Sequence, residues 1–297
     1  MLKRTLYFGN PAYLSLKNNQ LQIKNREGEI KTASIEDLGY VVLDHQQITI
    51  SHAALNALIE NNCAVITCDQ RHLPSALFLP LAGNSLQNER FRAQVDASLP
   101  LKKQLWQQTI KQKITNQAKV LEETRDISVK NMRAWANSVR SGDPDNREAV
   151  AANYYWKKLF PDIDFVRDRY GAPPNNLLNY GYAILRAVVA RALVSSGLLP
   201  TLGIKHHNQY NAYCLADDIM EPYRPFVDRL VIEILENEKD YPFELSVDLK
   251  AKLLSIPVLD VKINDEQSVL MNAVSKTTAS LYRCFSGLSR RLIYPEV

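Results

Sequence analysis

Hydrophobic positions change their spacing part-way along this chain. Through roughly the first 70 residues, short runs alternate apolar and polar positions and are rich in β-branched and aromatic residues, a pattern typical of half-buried strands. The runs are RTLYF, AYLSL, QLQIK, EIKTASI, GYVVLD and QITIS, separated by turn residues. A short helix, HAALNALIENN, follows Ser51 as its N-cap and precedes another strand, CAVITCD. The spacing predicts hairpins or a small β-sandwich.

From residue 88 onward the spacing becomes that of amphipathic helices. The longest segment is LKKQLWQQTIKQKITNQAKVLEE, whose apolar residues fall on one side and whose Lys and Gln residues fall on the other. Further helices are predicted at VKNMRAWANSVRS, DNREAVAANYYWKKLF and NNLLNYGYAILRAVVARALVSSG, after Leu215, and from Glu266 to Leu292. Asp145 is the predicted N-cap of the second of these.

The two patterns together predict an α+β protein with two domains. A small β-sandwich-like N-terminal domain is expected over residues 1–80, a linker containing part of PLAGN over 81–87, and a larger all-α domain over 88–297. Every strong candidate for chemistry lies in the helical part, so we expect the catalytic domain there.

Composition narrows the class of protein only slightly. The 297 residues are 46% hydrophobic and 23% charged, with a net charge of +4 and a pI of about 8.7, which suits a globular protein and permits a nucleic-acid partner. The four cysteines match no zinc motif and are expected to be small buried residues in a reducing compartment. No signal peptide and no long uncharged apolar run is apparent, so we expect a cytoplasmic protein without membrane contact.

The stretch KHHNQYNAYCLADDIMEPYRPFVD carries the strongest chemical pattern. Asp218 and Glu221 are three residues apart and would share one helix face, downstream of the adjacent His206 and His207. Imidazole and carboxylate ligands in this proportion suit Mg²⁺ or Mn²⁺. Adjacent histidines cannot easily reach one ion, so at most one is expected to be a ligand. Helix capping by the acids, with histidines that are exposed or packed, is the alternative.

Two further residues have two interpretations each. Glu148 lies among small residues that would let it point into a groove between helices, or it is an exposed acid in a first helical turn. Arg224, between two prolines, would either bind an anion or form an ion pair with Asp218 or Glu221.

Four stretches, in this order and spacing, resemble one known family. LGIKHHNQYNAYCLADDIMEPYRPFVD resembles the signature of the CRISPR-associated integrase–endonuclease of adaptation, the first of the numbered Cas proteins, in its type II version. NREAVAANYYWKKLF resembles the helix with that family's upstream catalytic glutamate. CAVITCDQRHLPSALFLPL is similar to the junction after its N-terminal β domain, and NNLLNYGYAILRAVVARALVSSGLLP to its central helix. The likeness runs from near residue 1 to at least Asp228.

The resemblance implies a divalent metal, Mg²⁺ or Mn²⁺, held by a glutamate, a histidine and a downstream acid. These match Glu148, His206 and Glu221, the three expected catalytic residues. His206 is preferred because the type II pattern places the histidine directly after a lysine, and His207 ranks second. Asp218 is either a further ligand or a group that supports one.

The implied reaction is a transesterification. The 3′-hydroxyl of a short DNA fragment would attack a phosphodiester at the CRISPR repeat boundary, and Lys205 and Arg224 are candidates to neutralise the phosphate. DNA contact would be made mainly to the backbone. A candidate basic stripe on the longest helix consists of Lys102, Lys103, Lys111 and Lys113.

The resemblance also implies protein partners. The family forms a homodimer through its N-terminal domains, and two such dimers flank a dimer of a small ferredoxin-like CRISPR-associated protein in a heterohexamer. The type II effector nuclease is a further candidate partner. Two other functions stay open: a metal-dependent DNA repair nuclease without integration, and a non-catalytic DNA-binding scaffold.

Overall fold

The first part of the chain folds into two four-stranded sheets and one helix. The structure is a computed structural model, and it describes residues 3–236 and 242–297. The elements are β1 (Arg4–Phe8), β2 (Tyr13–Lys17), β3 (Gln20–Lys24), β4 (Ile30–Ser34), β5 (Leu38–Leu43), β6 (Thr49–Ile50), α1 (His52–Glu60), β7 (Ala64–Cys68) and β8 (Pro74–Phe78). Ser51 caps α1, because its hydroxyl accepts a hydrogen bond from the Ala54 amide.

Strand order shows that hairpins build only part of these sheets. The first sheet has the order β1-β5-β7-β8, in which β1, β5 and β7 are parallel and β8 is antiparallel to β7. The second has the order β4-β3-β2-β6, with antiparallel pairs except for β6 on β2. The predicted strands are confirmed, but β8 was not predicted. Its first residue is Pro74, which is tolerated because β8 is an edge strand.

The two central strands of the first sheet, β5 and β7, are buried on both faces. Val41 and Val65 face a core between the two sheets, together with Leu14 and Leu58. The opposite face, which includes Val42, belongs to the large core formed with the helices. Burial on both faces explains why GYVVL is a continuous apolar run rather than an alternating one. The domain boundaries at residues 80 and 88 stay a prediction, since sheet and helices share this core.

The rest of the chain is mostly helical. The helices are α2 (Gln87–Val95), α3 (Leu99–Arg125), α4 (Lys130–Ser138), α5 (Arg147–Leu159), α6 (Asn175–Ser195), α7 (Cys214–Met220), α8 (Arg224–Leu235), α9 (Val247–Leu253) and α10 (Leu270–Phe285). A 3-10 turn, Glu221–Tyr223, joins α7 to α8. The predicted helices corresponding to α3, α4, α5 and α6 are confirmed.

The central helix α6 is the most apolar element. By length and composition alone it could cross a membrane, with a mean hydropathy of 1.3, but 72% of that window is buried inside the protein. Gly181 allows α8 to approach it, because a Cβ at this position would lie 2.6 Å from Val227 Cγ1. The apolar character of α6 therefore reflects its position in the core.

The C-terminal region departs from the sequence prediction. Strands β9 (Asp260–Ile263) and β10 (Glu266–Val269) form an antiparallel hairpin, so the expectation of an all-α region over 88–297 is wrong here. The helix predicted from Glu266 to Leu292 is correspondingly shorter, covering only α10. Asn264 and Asp265 both have positive φ, which suits the two-residue turn of a hairpin.

After α10 the chain turns back along α3. We call residues 286–297 the return segment. Tyr294 in this segment is buried, and its hydroxyl lies 2.8 Å from Thr109 Oγ1 of α3. The Asn116 amide group of α3 donates to the carbonyl of Pro295 at 3.1 Å and to that of Pro222 at 2.7 Å. Asn116 thus ties the return segment and the 3-10 turn to α3.

Candidate active site

Glu148 is presented by the first turn of α5. The Asp143 carboxylate caps this turn by accepting hydrogen bonds from the amides of Arg147 at 2.9 Å and Glu148 at 3.1 Å. The prediction that Asp145 caps this helix is wrong, because Asp145 forms an ion pair with Arg140 instead. Asp143 reaches the helix because Asn146 adopts a left-handed conformation, with φ at 51°.

Glu221 occupies the 3-10 turn between α7 and α8 and is only 6% exposed. Arg224 donates from Nε to Glu221 Oε1 at 2.8 Å, and Lys113 Nζ lies 2.5 Å from Glu221 Oε2. Burial alone would raise the pKa of Glu221, but Arg224 and Lys113 outweigh burial and lower this pKa to about 2. Glu221 is therefore a buried carboxylate that stays ionised.

Lys113 of α3 joins the two glutamates. Its ammonium donates to Glu148 Oε1 at 2.7 Å while contacting Glu221 on the other side, and the residue is only 8% exposed. Burial would lower the pKa of Lys113, but the carboxylates of Glu221 and Glu148 reverse this and raise it. Its assignment to an exposed DNA-binding stripe was wrong, although Lys103 and Lys111 are exposed.

The position of Lys113 could have been predicted from helical spacing. It lies three residues after Ile110 and directly before Ile114, on the side of α3 that is buried. A lysine among these apolar positions requires a buried partner. Its partners could not be predicted in the same way, since Glu148 and Glu221 come from distant parts of the chain.

His206 is held by Asp218. His206 Nδ1 lies 2.5 Å from Asp218 Oδ1, while Asp218 Oδ2 accepts a hydrogen bond from the Lys205 amide at 2.9 Å. Asp218 is fully buried, so it supports His206 from behind. The hydrogen bond to Asp218 raises the pKa of His206, burial opposes this, and the charges of Glu221 and Glu148 add to it. A proton on Nδ1 leaves the lone pair on Nε2 free for a ligand.

Close approach of the backbone at Gly203 makes this arrangement possible. A Cβ on Gly203 would lie 2.4 Å from the carbonyl oxygen of His206 and 2.7 Å from Asp218 Oδ2. Both distances are too short for a real side chain. Glycine is therefore required where the loop brings His206 over α7.

The remaining candidates lie at different places around this cluster. His207 is exposed, and so is Lys205, whose Nζ is 3.5 Å from the Gly142 carbonyl. Arg224 forms the ion pair with Glu221 that was one of its two interpretations, and it also lies over the ring of Tyr182, 4.5 Å from the centroid. Its charge is thus already committed within the protein.

A cleft opens beside Glu221 and Lys113. It has a volume of about 120 Å³. Charged and polar side chains line it together with two large aromatic residues, and the lining includes Lys113, Gln117, Trp156, Arg167, Tyr182, Glu221, Arg224 and Asp228. The Gln117 Oε1 atom is buried without a hydrogen-bond partner in the described structure. The cleft is therefore polar, with three cationic and two acidic side chains in its lining.

The donor set can be compared with the needs of a divalent metal. Within residues 3–236 and 242–297, no three His, Cys, Asp or Glu side chains are close enough to hold an ion. Lys113 lies between Glu148 and Glu221 instead. Glu221 Oε2 is buried without a well-directed hydrogen bond and contacts the Lys113 ammonium at 2.5 Å, so it can act as a ligand once Lys113 moves. Two carboxylates and one imidazole with a free nitrogen fit Mg²⁺ or Mn²⁺, provided that Lys113 moves.

Sequence comparisons identify the class of protein to which this fold and site belong. A family model described as CRISPR associated protein Cas1 matches residues 6–255. The chain is 39% identical over 299 residues to the CRISPR-associated endonuclease Cas1 of Neisseria meningitidis serogroup C (strain 8013), covering 100% of this chain and 97% of that protein. The chain is thus a member of a family of CRISPR-associated proteins. It belongs to the Cas1 family, which confirms the family predicted from the sequence.

Solved structures share the same fold at low identity. A casposase bound to integration product has a TM-score of 0.79 and 19% identity, covering 98% of this chain and 92% of that chain. A Cas1 protein from Thermotoga maritima has a TM-score of 0.74 and 15% identity, covering 96% and 97%. At such low identities the similarity shows only that the fold is shared. The roles proposed for individual residues therefore rest on the distances and contacts of the site itself.

Proposed function

We propose that this protein is a metal-dependent integrase that inserts short DNA fragments into a CRISPR array of a type II system, acting in the cytoplasm. The observation that carries the proposal is the convergence of Glu148 and Glu221 on Lys113, next to a histidine oriented by a buried aspartate. Family membership as an endonuclease supports the class of reaction.

Glu148, Glu221 and His206 Nε2 would hold Mg²⁺ or Mn²⁺. When bound, the metal polarises the phosphoryl oxygen of the target and stabilises charge on the attacking or leaving oxygen. Asp218 keeps the Nδ1 proton on His206, so that Nε2 is directed outward with its lone pair. The charge of Arg224 keeps Glu221 ionised at neutral pH. Glu221 therefore need not lose a proton before it binds the metal.

The attacking group in this proposal is the 3′-hydroxyl of the incoming DNA fragment. It forms a new phosphodiester while the bond to the leaving 3′-oxygen of the target strand breaks. Lys205 is exposed directly before His206 and would contact backbone phosphates. Such contacts predict binding that weakens steeply as salt rises.

Assembly is part of the same proposal. The β-rich unit of residues 1–80 would form a homodimer, and the helical unit of 88–297 would carry the chemistry. Two dimers would flank a dimer of a small ferredoxin-like CRISPR-associated protein in a heterohexamer. A chain of a solved Cas6-RT-Cas1–Cas2 complex matches this chain with a TM-score of 0.74 and 19% identity. That chain shares the fold, which supports the proposal of a comparable assembly. The type II effector nuclease is a further proposed partner.

A plasmid integration assay tests the function. Wild-type protein, the small partner, a short duplex and Mg²⁺ or Mn²⁺ should give strand transfer that requires the 3′-hydroxyl of the duplex. Glu148→Ala, His206→Ala and Glu221→Ala should each reduce joining to background while fold and dimer persist. Glu122→Gln is the matched control, because this acid pairs with Arg133 outside the site.

Three results would favour other functions or assignments. Cleavage without joining would favour a repair nuclease. DNA binding that persists in the alanine variants, with an inactive wild type, would favour a scaffold. An active His206→Ala together with an inactive His207→Ala would reverse the choice of histidine.

A further inference from the structure

Lys113 occupies the position between the two acidic ligands of the proposed metal site. Its ammonium is 2.7 Å from Glu148 Oε1 and 2.5 Å from Glu221 Oε2. These are charge-assisted contacts inside the protein, where neither water nor salt screens them effectively. An ion that uses both carboxylates must therefore disturb at least one contact of Lys113.

The charges at this point already balance. The two carboxylates, of Glu148 and Glu221, are matched by two cations, Lys113 and Arg224. A divalent cation consequently meets a neutral cluster rather than a pair of free acids. Without a cation, the buried carboxylate of Glu221 and the half-buried carboxylate of Glu148 would repel each other at considerable cost. The internal cations thus allow the acid pair to form before any metal arrives.

Lys113 is the cation better suited to leave. Arg224 is fixed by its planar group, which bonds to Glu221 Oε1 and lies over the Tyr182 ring. Lys113 is a point charge on a flexible four-carbon side chain, and within residues 3–236 and 242–297 its ammonium lies over no aromatic ring. It also lines the cleft beside Glu221, which offers its ammonium a space outside the acid pair.

We propose that Lys113 is a built-in counter-cation, which occupies the acid pair in the metal-free protein and which a divalent cation displaces from at least one carboxylate. The inference rests on the proposed function, since it concerns the same acid pair. It makes metal binding an exchange of one cation for another. The displaced ammonium stays on α3 in the cleft, where a DNA phosphate is its available anionic partner.

Mn²⁺ affinity is the direct test, measured by calorimetry or by the paramagnetic signal of free Mn²⁺ without DNA. Lys113→Gln removes the competing charge and should tighten Mn²⁺ binding by about tenfold or more, because two short buried ion contacts no longer oppose it. Lys113→Arg keeps the charge and should bind no more tightly than wild type. Lys111→Gln, on the exposed side of α3, is the matched control and should leave affinity unchanged.

The outcomes separate this inference from the proposed function. Unchanged or weaker Mn²⁺ binding in Lys113→Gln would overturn the inference, and the metal site would stand if Glu148→Ala and Glu221→Ala lose binding. If those two alanine variants bind Mn²⁺ as wild type does, the metal site itself is wrong and the inference fails with it.

A second measurement uses the wild-type protein, in case Lys113→Gln does not fold. The protein is treated with a mild amine-reactive acetylating reagent, with and without saturating Mg²⁺. Mass spectrometry measures the rate of acetylation at each lysine. Lys113 should be protected without metal and should react faster with it, while the rate at Lys111 stays the same. If Mg²⁺ is shown to bind and Lys113 is equally protected with and without it, the proposal that the metal displaces Lys113 is overturned.

Discussion

At the scale of single residues, Asp218 shows how a buried group sets the chemistry of an exposed one. It is fully buried, whereas the side chain of His206 is about half exposed, at 51%. The aspartate accepts from Nδ1 of His206 and from the Lys205 amide. In this way it fixes both the orientation of the ring and the nitrogen that faces outward. Its contribution is positional, since its two oxygens already accept hydrogen bonds from the His206 ring and the Lys205 amide.

Replacing Asp218 by Asn should therefore weaken metal binding rather than abolish it. We expect a loss of about 10- to 100-fold in Mn²⁺ affinity, because the amide no longer favours the proton on Nδ1 of His206. Nitrogen NMR of the histidine ring should show a mixture of tautomers. Asp217→Asn is the matched control, because Asp217 pairs with Arg186 instead. A single unchanged tautomer in Asp218→Asn would contradict the assignment.

At the scale of elements, α3 organises the site. It contributes Lys113, and through Asn116 it fixes the 3-10 turn with Glu221 and the return segment. Asn116 is buried. Its amide nitrogen donates to the two backbone carbonyls, and its Oδ1 accepts a hydrogen bond from Gln112 Nε2 at 2.9 Å. The amide thus positions a catalytic turn without touching any reacting group.

Asn116→Ala should lower the free energy of unfolding by about 1–3 kcal/mol, because two buried carbonyls lose their donor. It should also reduce strand transfer, since the turn that carries Glu221 loses an anchor. Urea denaturation and the integration assay measure the two effects. Thr115→Ala, at an exposed neighbouring position on α3, should change neither by more than a few tenths of a kcal/mol. Equal behaviour of the two variants would refute this role for Asn116.

The local sequence pattern was sufficient to predict the helices and strands but not the tertiary contacts between them. The period of α3 and the apolar length of α6 follow from residues a few positions apart, so both helices were predictable. The contacts of Lys113 with Glu148 and Glu221 join residues 35 and 108 positions apart, which no local pattern encodes. The hairpin β9–β10 was missed because only four residues form each strand, too few to show alternation.

At the scale of the whole molecule, a buried ion pair joins the first sheet to the C-terminal helices. Asp44 follows β5, and Lys250 belongs to α9. Their side chains are 2.9 Å apart and almost fully buried. Tyr7 and His72 also contact the Asp44 carboxylate, at 2.5 and 2.8 Å. Burial would raise the pKa of Asp44, but the hydrogen bonds from Tyr7, Lys250 and His72 prevail and lower it.

Removing Lys250 alone should be costly. Lys250→Met leaves a buried carboxylate without its cation and should destabilise the protein by about 3–5 kcal/mol at neutral pH. The double variant Asp44→Asn with Lys250→Met should lose less, because no buried charge remains. Urea denaturation of both variants gives the comparison. A double variant that is less stable than Lys250→Met would contradict this account.

The same pair predicts a dependence on acidity. The folded-state pKa of Asp44 is lowered from its ordinary 3.8, so its contribution to stability is present above that pH and is lost as pH falls through the folded-state value. The gap in stability between wild type and the double variant should accordingly narrow below about pH 4. A gap that widens with acid would show that Asp44 is not the responsible group.

The return segment has a consequence for the order of events during synthesis. Tyr294 and Pro295 are made more than seventy residues after Glu221, yet they complete the packing of α3 on which the turn of Glu221 depends. A ribosome-bound chain that has not yet reached Tyr294 already contains every proposed ligand but lacks that packing. Because chains fold as they emerge, nuclease competence should arise only late in translation.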